Sequence, residues 1–378
     1  MGYNIILWMK PFVKWAGGKE REYRYFQEFI PDNIHNYIEP FLGGGAVFFK
    51  FSDIEIMGER YINDYSTELY ELYSLISQRN HDFLEELDAI ENNIQLMVVY
   101  ANDNIRHFTD ACILANESMT YEQQIQTILN NCFVEGSRLH QHLNVYDNQF
   151  ETELIKTIKI KIRKYCRLRE NGNDVDDNNI FKLFETALKM SLYNTIRYAY
   201  NHYDANNSHK IAYFLYIREF CYASMFRYNP EGEFNVPYGG MSYNSKSFSN
   251  VVEYIKTDEL VNYLNQAQLR NMDFEAFLDG INVNENDFIF VDPPYDSEFS
   301  EYAQNVFNFN DHIRLANQLS RTNAKVMVVI KNTEKIHNLY SNLGFNIRRY
   351  NKLYSVNLQN RNNRLVEHLI ITNYDTEE

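Results

Sequence analysis

Short, unbroken apolar runs alternate along this chain with longer stretches whose apolar residues recur every three or four positions. The runs Phe288-Ile289-Phe290-Val291 and Val326-Met327-Val328-Val329-Ile330 read as strands buried on both faces, as in a parallel sheet covered by helices. Tyr37 to Glu39 and Arg60 to Asp64 are shorter candidates. Helical spacing marks Leu69, Leu72, Tyr73 and Ile76, then Phe181, Phe184, Leu188, Leu192 and Ile196 in a helix from Ile180 to Arg197. Further helical patterns cover Val251 to Gln266, Phe309 to Leu319 and Glu334 to Leu343. Two late strands, Asn346 to Val356 and Leu365 to Thr372, flank a polar loop from Gln359 to Arg364. Strands alternating with helices and closing on an antiparallel pair indicate a mixed α/β sheet.

From about Gln78 to Met225 the pattern is mostly helical and carries no catalytic signature. A chain of 378 residues is long enough for two cores. The expected organisation is a discontinuous sheet domain, residues 1–77 and 250–378, interrupted by a second domain at 78–249.

Composition narrows the class. Hydrophobic residues make up 45% and charged residues 23%, ordinary values for a globular protein. No apolar run approaches the ~20 residues of a membrane span, and the run from Ile5 to Met9 is too short for a signal-peptide core. Ile6 stands where a myristoylation signal after Gly2 needs Ser or Thr. A cytoplasmic protein without a membrane is expected. Cys112, Cys132, Cys166 and Cys221 lack C-x-x-C spacing and point to reduced thiols, with no metal site. The net charge of −15 argues against a protein that coats nucleic acid. It leaves room for a local basic surface. Lys156, Lys159, Lys161, Arg163, Lys164, Arg167 and Arg169 form one basic stretch; Arg348, Arg349, Lys352, Arg361 and Arg364 form another. Each is either a solvated face or a phosphate contact.

The candidate chemistry lies at strand ends. After Val291 the chain reads Asp292-Pro293-Pro294-Tyr295. Two prolines stop both helix and ladder, so the chain leaves the sheet with an acid, two stiff carbonyls and a ring at the carboxyl edge. That edge is where ligands bind in open α/β sheets. The carboxylate and a proline carbonyl suit the two hydrogens of an amino group on a flat ring, and Tyr295 suits its face; a proline exit with a capping Asp and a core Tyr is the plainer reading. Near the start, Trp15-Ala16-Gly17-Gly18-Lys19 offers a close backbone approach, a ring and a cation, or a structural turn before a helix near Glu20. It does not meet the P-loop pattern. Glu39-Pro40-Phe41-Leu42-Gly43-Gly44-Gly45 ends a strand in a glycine-rich turn, with an apolar helix expected after it. About twenty-five residues past Glu39, Asp64 stands where an acid binds ribose hydroxyls, or caps the following helix. Asn229-Pro230-Glu231-Gly232 is a turn able to carry a β-hairpin, with Arg227 at its base to reach a guanine edge or lie on the surface.

These elements, in this order, resemble Dam-type (alpha group) DNA adenine-N6 methyltransferases. The resemblance rests on Lys14 to Lys19, Glu39 to Gly45 and Asp292 to Tyr295. Two further stretches carry it: Arg227 to Asn229 with Gly232 to Gly239, and Arg361 to Ile370. It covers a little over half the chain. It implies a Rossmann-like S-adenosylmethionine-dependent sheet with an inserted, mainly helical target-recognition domain. The implied activity is site-specific transfer of a methyl group to the N6 amine of adenine in double-stranded DNA. S-adenosyl-L-methionine is the implied cofactor, and a cognate restriction endonuclease the companion in a restriction-modification system. The implied catalytic residues are Asp292, Pro293, Pro294 and Tyr295. Trp15, Lys19, Glu39, Phe41, Gly43, Gly45, Asp64 and Asp292 would hold the cofactor. Tyr222, Arg227, Asn235, Pro237, Lys161, Arg163 and Lys164 would contact DNA, with Tyr222 beside a flipped base. Two departures bear on specificity. The segment from roughly Asn80 to Ile217 is far longer than in compact members. Tyr222-Ala223-Ser224-Met225 replaces Tyr-Asn-Gly, and Gly240-Met241 replaces Arg-Tyr, which leaves the target open between GATC and another GA-containing site. Methylation of RNA or a protein amide, and a catalytically inactive DNA-binding module, stand as the alternatives.

Overall fold

The computed structural model describes residues 9–15, 17–132, 149–203, 206–295, 307–353 and 365–375. The chain divides into two units, residues 1–79 with 255–378, and residues 80–254.

Among the described residues the first unit is built on a seven-stranded sheet. Its strands are β1 (Tyr37–Glu39), β2 (Arg60–Asn63), β3 (Ala267–Arg270), β4 (Phe288–Val291), β5 (Lys325–Lys331), β6 (Asn346–Leu353) and β7 (Leu365–Thr372). The order across the sheet is β3-β2-β1-β4-β5-β7-β6. β1 to β5 run parallel, and β7 lies antiparallel between β5 and β6. All four residues of β4 and five of the seven in β5 are buried, which is why those runs are apolar without alternation. From β1 the chain passes to β2 on one side, while β4 pairs with β1 on the other. The strand order therefore reverses between β1 and β4, and ligands bind outside the carboxyl ends of such a pair. The register Tyr37↔Phe288 and Ile38↔Ile289 sets Glu39 and the chain after Val291 at that edge. Asp287, fully buried, fixes the other end by accepting from Asn36 N at 3.0 Å and Asn284 N at 2.9 Å.

Two expected helices are absent. After the glycine-rich turn the chain forms a 3₁₀ segment, Phe48–Asp53, rather than an apolar α-helix. Phe48, Phe49 and Phe51 are wholly buried, and Phe51 packs on Tyr37 with ring centroids 4.3 Å apart. The tighter three-residue turn brings Phe51 onto Tyr37 and Phe288 of the sheet and Phe48 onto Tyr263. Near Glu20 there are only two 3₁₀ turns, Tyr23–Tyr25 and Gln27–Phe29. The helices that do form in this unit are α1 (Thr67–Ser77) and, later, short segments at Asp258–Leu264 and Phe274–Asp279, then Phe309–Leu319 and Glu334–Asn342. The loop expected at 359–364, with Arg361 and Arg364, lies outside the described residues.

The second unit is helical: α2 (His81–Asn116), α3 (Glu122–Cys132), α4 (Gln149–Glu170), α5 (Asp177–His202) and α6 (Asn207–Phe220). Asn80, Asp176 and Asn206 cap α2, α5 and α6. The segment expected as a β-hairpin near 226–240 turns at Asn229 to Gly232 and pairs antiparallel at Tyr228↔Phe234, where Asn229 N donates to Glu233 O at 2.9 Å and Asn235 N to Arg227 O at 3.2 Å; a second single bridge joins Cys221 and Tyr238. Side chains of α5 add to this short pairing. Tyr193 Oη and Arg197 Nη1 donate to Val236 O at 2.8 and 2.9 Å, and Asn201 exchanges hydrogen bonds with the backbone of Phe234. Pro230 and Pro237 remove donors that a ladder would need.

Candidate active site

Lys19 is 1% exposed although it carries a charge. All three of its protons are used: Nζ donates to Asp292 Oδ1 at 2.5 Å, to Tyr295 Oη at 2.9 Å and to Gly17 O at 3.0 Å. The opening turn and the chain after β4 are thus joined through one ammonium. Burial pushes the Asp292 carboxyl above its ordinary range, and Lys19 opposes that push. Pro293 is buried, and Pro294 is exposed beside it.

The glycine-rich turn is shaped by Trp15. A Cβ on Gly43, at φ +53°, would meet Trp15 Cδ1 at 2.9 Å; one on Gly45, at φ +71°, would meet Phe49 at 2.7 Å and Tyr73 Oη at 2.9 Å. Neither position has room for a side chain. Asp64 closes the turn. Its Oδ2 accepts from Gly43 N at 2.7 Å and its Oδ1 from Ser66 N at 2.9 Å. The N-cap of α1 is Ser66, whose side chain accepts from Leu69 N, so Asp64 is not the capping residue. Burial raises the Asp64 pKa to about 6, against the two backbone donors. Glu39, 2% exposed, is held well above the carboxylate range by burial, with Asp292 and Asp64 adding to the shift and the Tyr37 hydroxyl, 2.7 Å away, opposing it. Phe41 packs on Phe274 and Phe307 at 5.5 and 5.6 Å.

These residues line one cavity of about 910 Å³: Trp15, Lys19, Glu39, Phe41, Asp64 and the Asp292-to-Tyr295 segment. Gly43 lines it too, whereas Gly45 lies behind the turn against Phe49 and Tyr73.

Three neighbouring residues were missed in sequence, two of them without any cue. Glu22, 2% exposed, accepts from Tyr350 Oη at 2.6 Å and from Lys352 Nζ. Burial pushes its carboxyl up, but Lys19 and the bonds from Lys352 and Tyr350 outweigh that and hold it low. His368, fully buried on β7, is pushed down to about 4 by burial, with Glu22 opposing and Lys352 and Lys19 adding. It is neutral and stands edge-on to Tyr295 at 5.8 Å. Asn63 ties the β1 and β3 ends together, donating to Pro40 O and Met272 O, both at 3.0 Å. Its place at the end of a strand was the one cue available.

In the second unit, Arg227 is exposed and its Nε donates to Asn235 Oδ1 at 2.9 Å. Pro237 O accepts from Tyr222 N at 2.8 Å. Tyr222 is 53% exposed, on a turn where Ala223 and Ser224 both take positive φ, 54° and 51°. Two such non-glycine residues in succession are costly, so the surrounding bonds hold the turn. Tyr243 Oη accepts from Ala223 N at 3.1 Å. On α4, Arg163 and Lys164 are exposed, but Lys161 is partly covered, and burial together with Lys164 lowers its pKa. Among the described residues no cluster of acids, histidines and cysteines could hold a metal, and no helix is long and apolar enough to cross a membrane.

The chain resembles known proteins along nearly its whole length. It is 26% identical over 373 residues to the type II methyltransferase M.CviBI of Paramecium bursaria Chlorella virus NC1A, spanning 97% of this chain and 100% of that protein. It is 24% identical over 360 residues to the type II methyltransferase M.MjaIII of Methanocaldococcus jannaschii, 90% of each. A DNA N-6-adenine-methyltransferase of Escherichia phage P1 is 30% identical over 177 residues, 44% of this chain and 22% of that protein. The mixed sheet fits the Rossmann-like fold of S-adenosylmethionine-dependent methyltransferases. The pattern of the D12 class matches residues 15–129 and 131–356, so the chain belongs to the D12 class N6 adenine-specific DNA methyltransferase family.

Proposed function

We propose that this protein transfers a methyl group from S-adenosylmethionine to the N6 amine of adenine at a specific site in double-stranded DNA. The observation that carries the reading is Asp292, held by Lys19 at the wall of the cavity.

The residues present fit the cofactor. A turn with no room for side chains brings backbone to the cavity, and Asp64 keeps lone pairs beyond its two backbone bonds for ribose hydroxyls. Trp15, Phe41 and Glu39 complete the wall, and Asp292 lies where it would face both reactants. When bound, S-adenosylmethionine supplies an electrophilic methyl group on a sulfonium centre.

The adenine amine is a poor nucleophile because its lone pair is delocalised into the ring. Asp292 and the Pro293 carbonyl would accept its two hydrogens, localising the lone pair on nitrogen. Lys19 keeps one Asp292 oxygen fixed and leaves the other for the amine. Burial raises the proton affinity of Asp292, which suits it to take the proton the amine loses. Tyr295, fixed through its hydroxyl, would stack on the base and offset part of the few kcal/mol that flipping costs. Positioning and electrostatics carry the rate.

For target reading the proposal assigns Tyr222, Arg227, Asn235 and Pro237 to DNA contact. The type II methyltransferase names of two relatives support a place in a restriction-modification system; a companion restriction endonuclease and a location on cytoplasmic DNA belong to the same proposal. Purified protein with methyl-labelled cofactor and unmethylated DNA should place label in N6-methyladenine. Label in RNA or a protein amide instead, or none with cofactor bound, would overturn the reading.

A further inference from the structure

Helix α4 carries seven lysines and arginines against three glutamates, in a chain of net charge −15. The positions divide by face. Phe150, Leu154, Ile158, Ile162 and Tyr165 are buried at helical spacing and define the inner side. Lys156, Lys159, Arg163 and Arg167 follow at intervals of three, four and four residues, on the side opposite; Lys156, Arg163 and Arg167 are exposed and Lys159 is partly covered. Lys161 falls near the buried side, and Arg169 is taken by Asp174 at 2.9 Å. Lys156 meets Glu153 at 3.2 Å. Among the described residues no carboxylate lies within ion-pair distance of Lys159, Arg163, Lys164 or Arg167. Arg163 Nε donates to Lys159 O at 3.2 Å, laying its guanidinium along the helix surface.

We propose that Lys156, Lys159, Arg163 and Arg167 form a phosphate-contacting stripe for the backbone of the DNA substrate. The proposal rests on the DNA-methylating reading and replaces Lys161 as a contact residue. From Lys156 to Arg167 the helix rises about 16 Å, close to five nucleotide steps of one strand at about 3.4 Å each. Four cations along that length can each find a phosphate. Such contacts carry no sequence information; they set affinity and its salt dependence.

The test compares full-length wild type with K156Q/K159Q/R163Q/R167Q and, separately, with K161Q. Duplex DNA affinity is measured from 50 to 200 mM salt, alongside cofactor binding and helical content. Because the quadruple variant alters one helix extensively, R163Q/R167Q serves as a milder second variant. If three of the four reach phosphates, the quadruple variant's log–log salt slope is shallower by about 3, so wild type loses about 40-fold more affinity across that range. R163Q/R167Q loses about half as much slope, K161Q keeps it, and cofactor affinity is unchanged in all three. An unchanged slope in both stripe variants, with wild type still binding and methylating DNA, overturns the stripe alone. Wild type that neither binds nor methylates DNA overturns the functional reading with it.

Discussion

Lys19 Nζ lies 2.5 Å from Asp292 Oδ1, a contact between residues 273 apart in sequence. It joins the first turn of the folded chain to the exit of β4, so the site is assembled from both ends of a discontinuous unit. The contact holds Asp292 in place and opposes the upward push of burial on its carboxyl. Asp292→Asn keeps the shape and removes the charge that accepts from Lys19 and the amine. Its kcat should fall by about 10²–10³-fold or more, with DNA binding still measurable. Single-turnover methylation beside equilibrium binding checks this; near-normal turnover would remove Asp292 from the chemistry.

Cofactor affinity should depend on acid. The Asp64 pKa is raised to about 6, so it is ionised at neutral pH and takes up a proton as pH falls through that value. The protonated form accepts ribose hydroxyl bonds less well. Cofactor Kd should therefore rise as pH drops below about 6, and Asp64→Asn should bind weakly with a flat profile over the same range. Calorimetric titration from pH 5 to 8 reads both, and a wild-type profile parallel to the variant's would contradict the assignment.

Glu22 bears on stability. Its carboxyl is held low in the folded protein, so its contribution is fully present above the unfolded pKa, about 4.3, and is lost as pH falls through the folded value. Glu22→Gln leaves Lys352 without its buried counter-charge. The expected loss is about 3 kcal/mol at neutral pH, shrinking below about pH 4. Urea unfolding of both proteins at two pH values measures it.

The glycine turn predicts a steric result. Gly43→Ala places a methyl group 2.9 Å from Trp15 at a left-handed φ, and Gly45→Ala places one 2.7 Å from Phe49. Each should cost more than about 1 kcal/mol, and Gly43→Ala should also weaken cofactor binding by displacing Trp15 and the Asp64 bond. Thermal unfolding with and without cofactor separates the two effects.

Arg227 is exposed, so its loss should leave stability unchanged. If it reads a guanine, Arg227→Ala should lower discrimination at one base position by about 10–100-fold. Methylation rates on a set of single-substitution duplexes report this directly.

Much of the site could be read from residue order because strand ends announce themselves. Val291 followed by Asp-Pro-Pro, and Glu39 followed by Pro-Phe-Leu and three glycines, combine an apolar run with residues that forbid its continuation. The 3₁₀ segment after Gly45 escaped because three phenylalanines look alike in either helix type until the sheet they pack on is known. Glu22 and His368 escaped because only long-range packing buries them; in sequence each is one more polar residue. The split of α4 into a covered Lys161 and an outward stripe needed the inner face of that helix to be seen.

The most direct test of the central claim is methyl transfer by wild type and Asp292→Asn to unmethylated genomic DNA, with labelled cofactor, digestion to nucleosides and mapping on intact strands. Label in N6-methyladenine at one defined sequence is expected for wild type, with an initial rate lower by about 10²–10³-fold or more for the variant. Wild-type label absent from DNA while cofactor binds, or equal initial rates from both proteins, would contradict that claim.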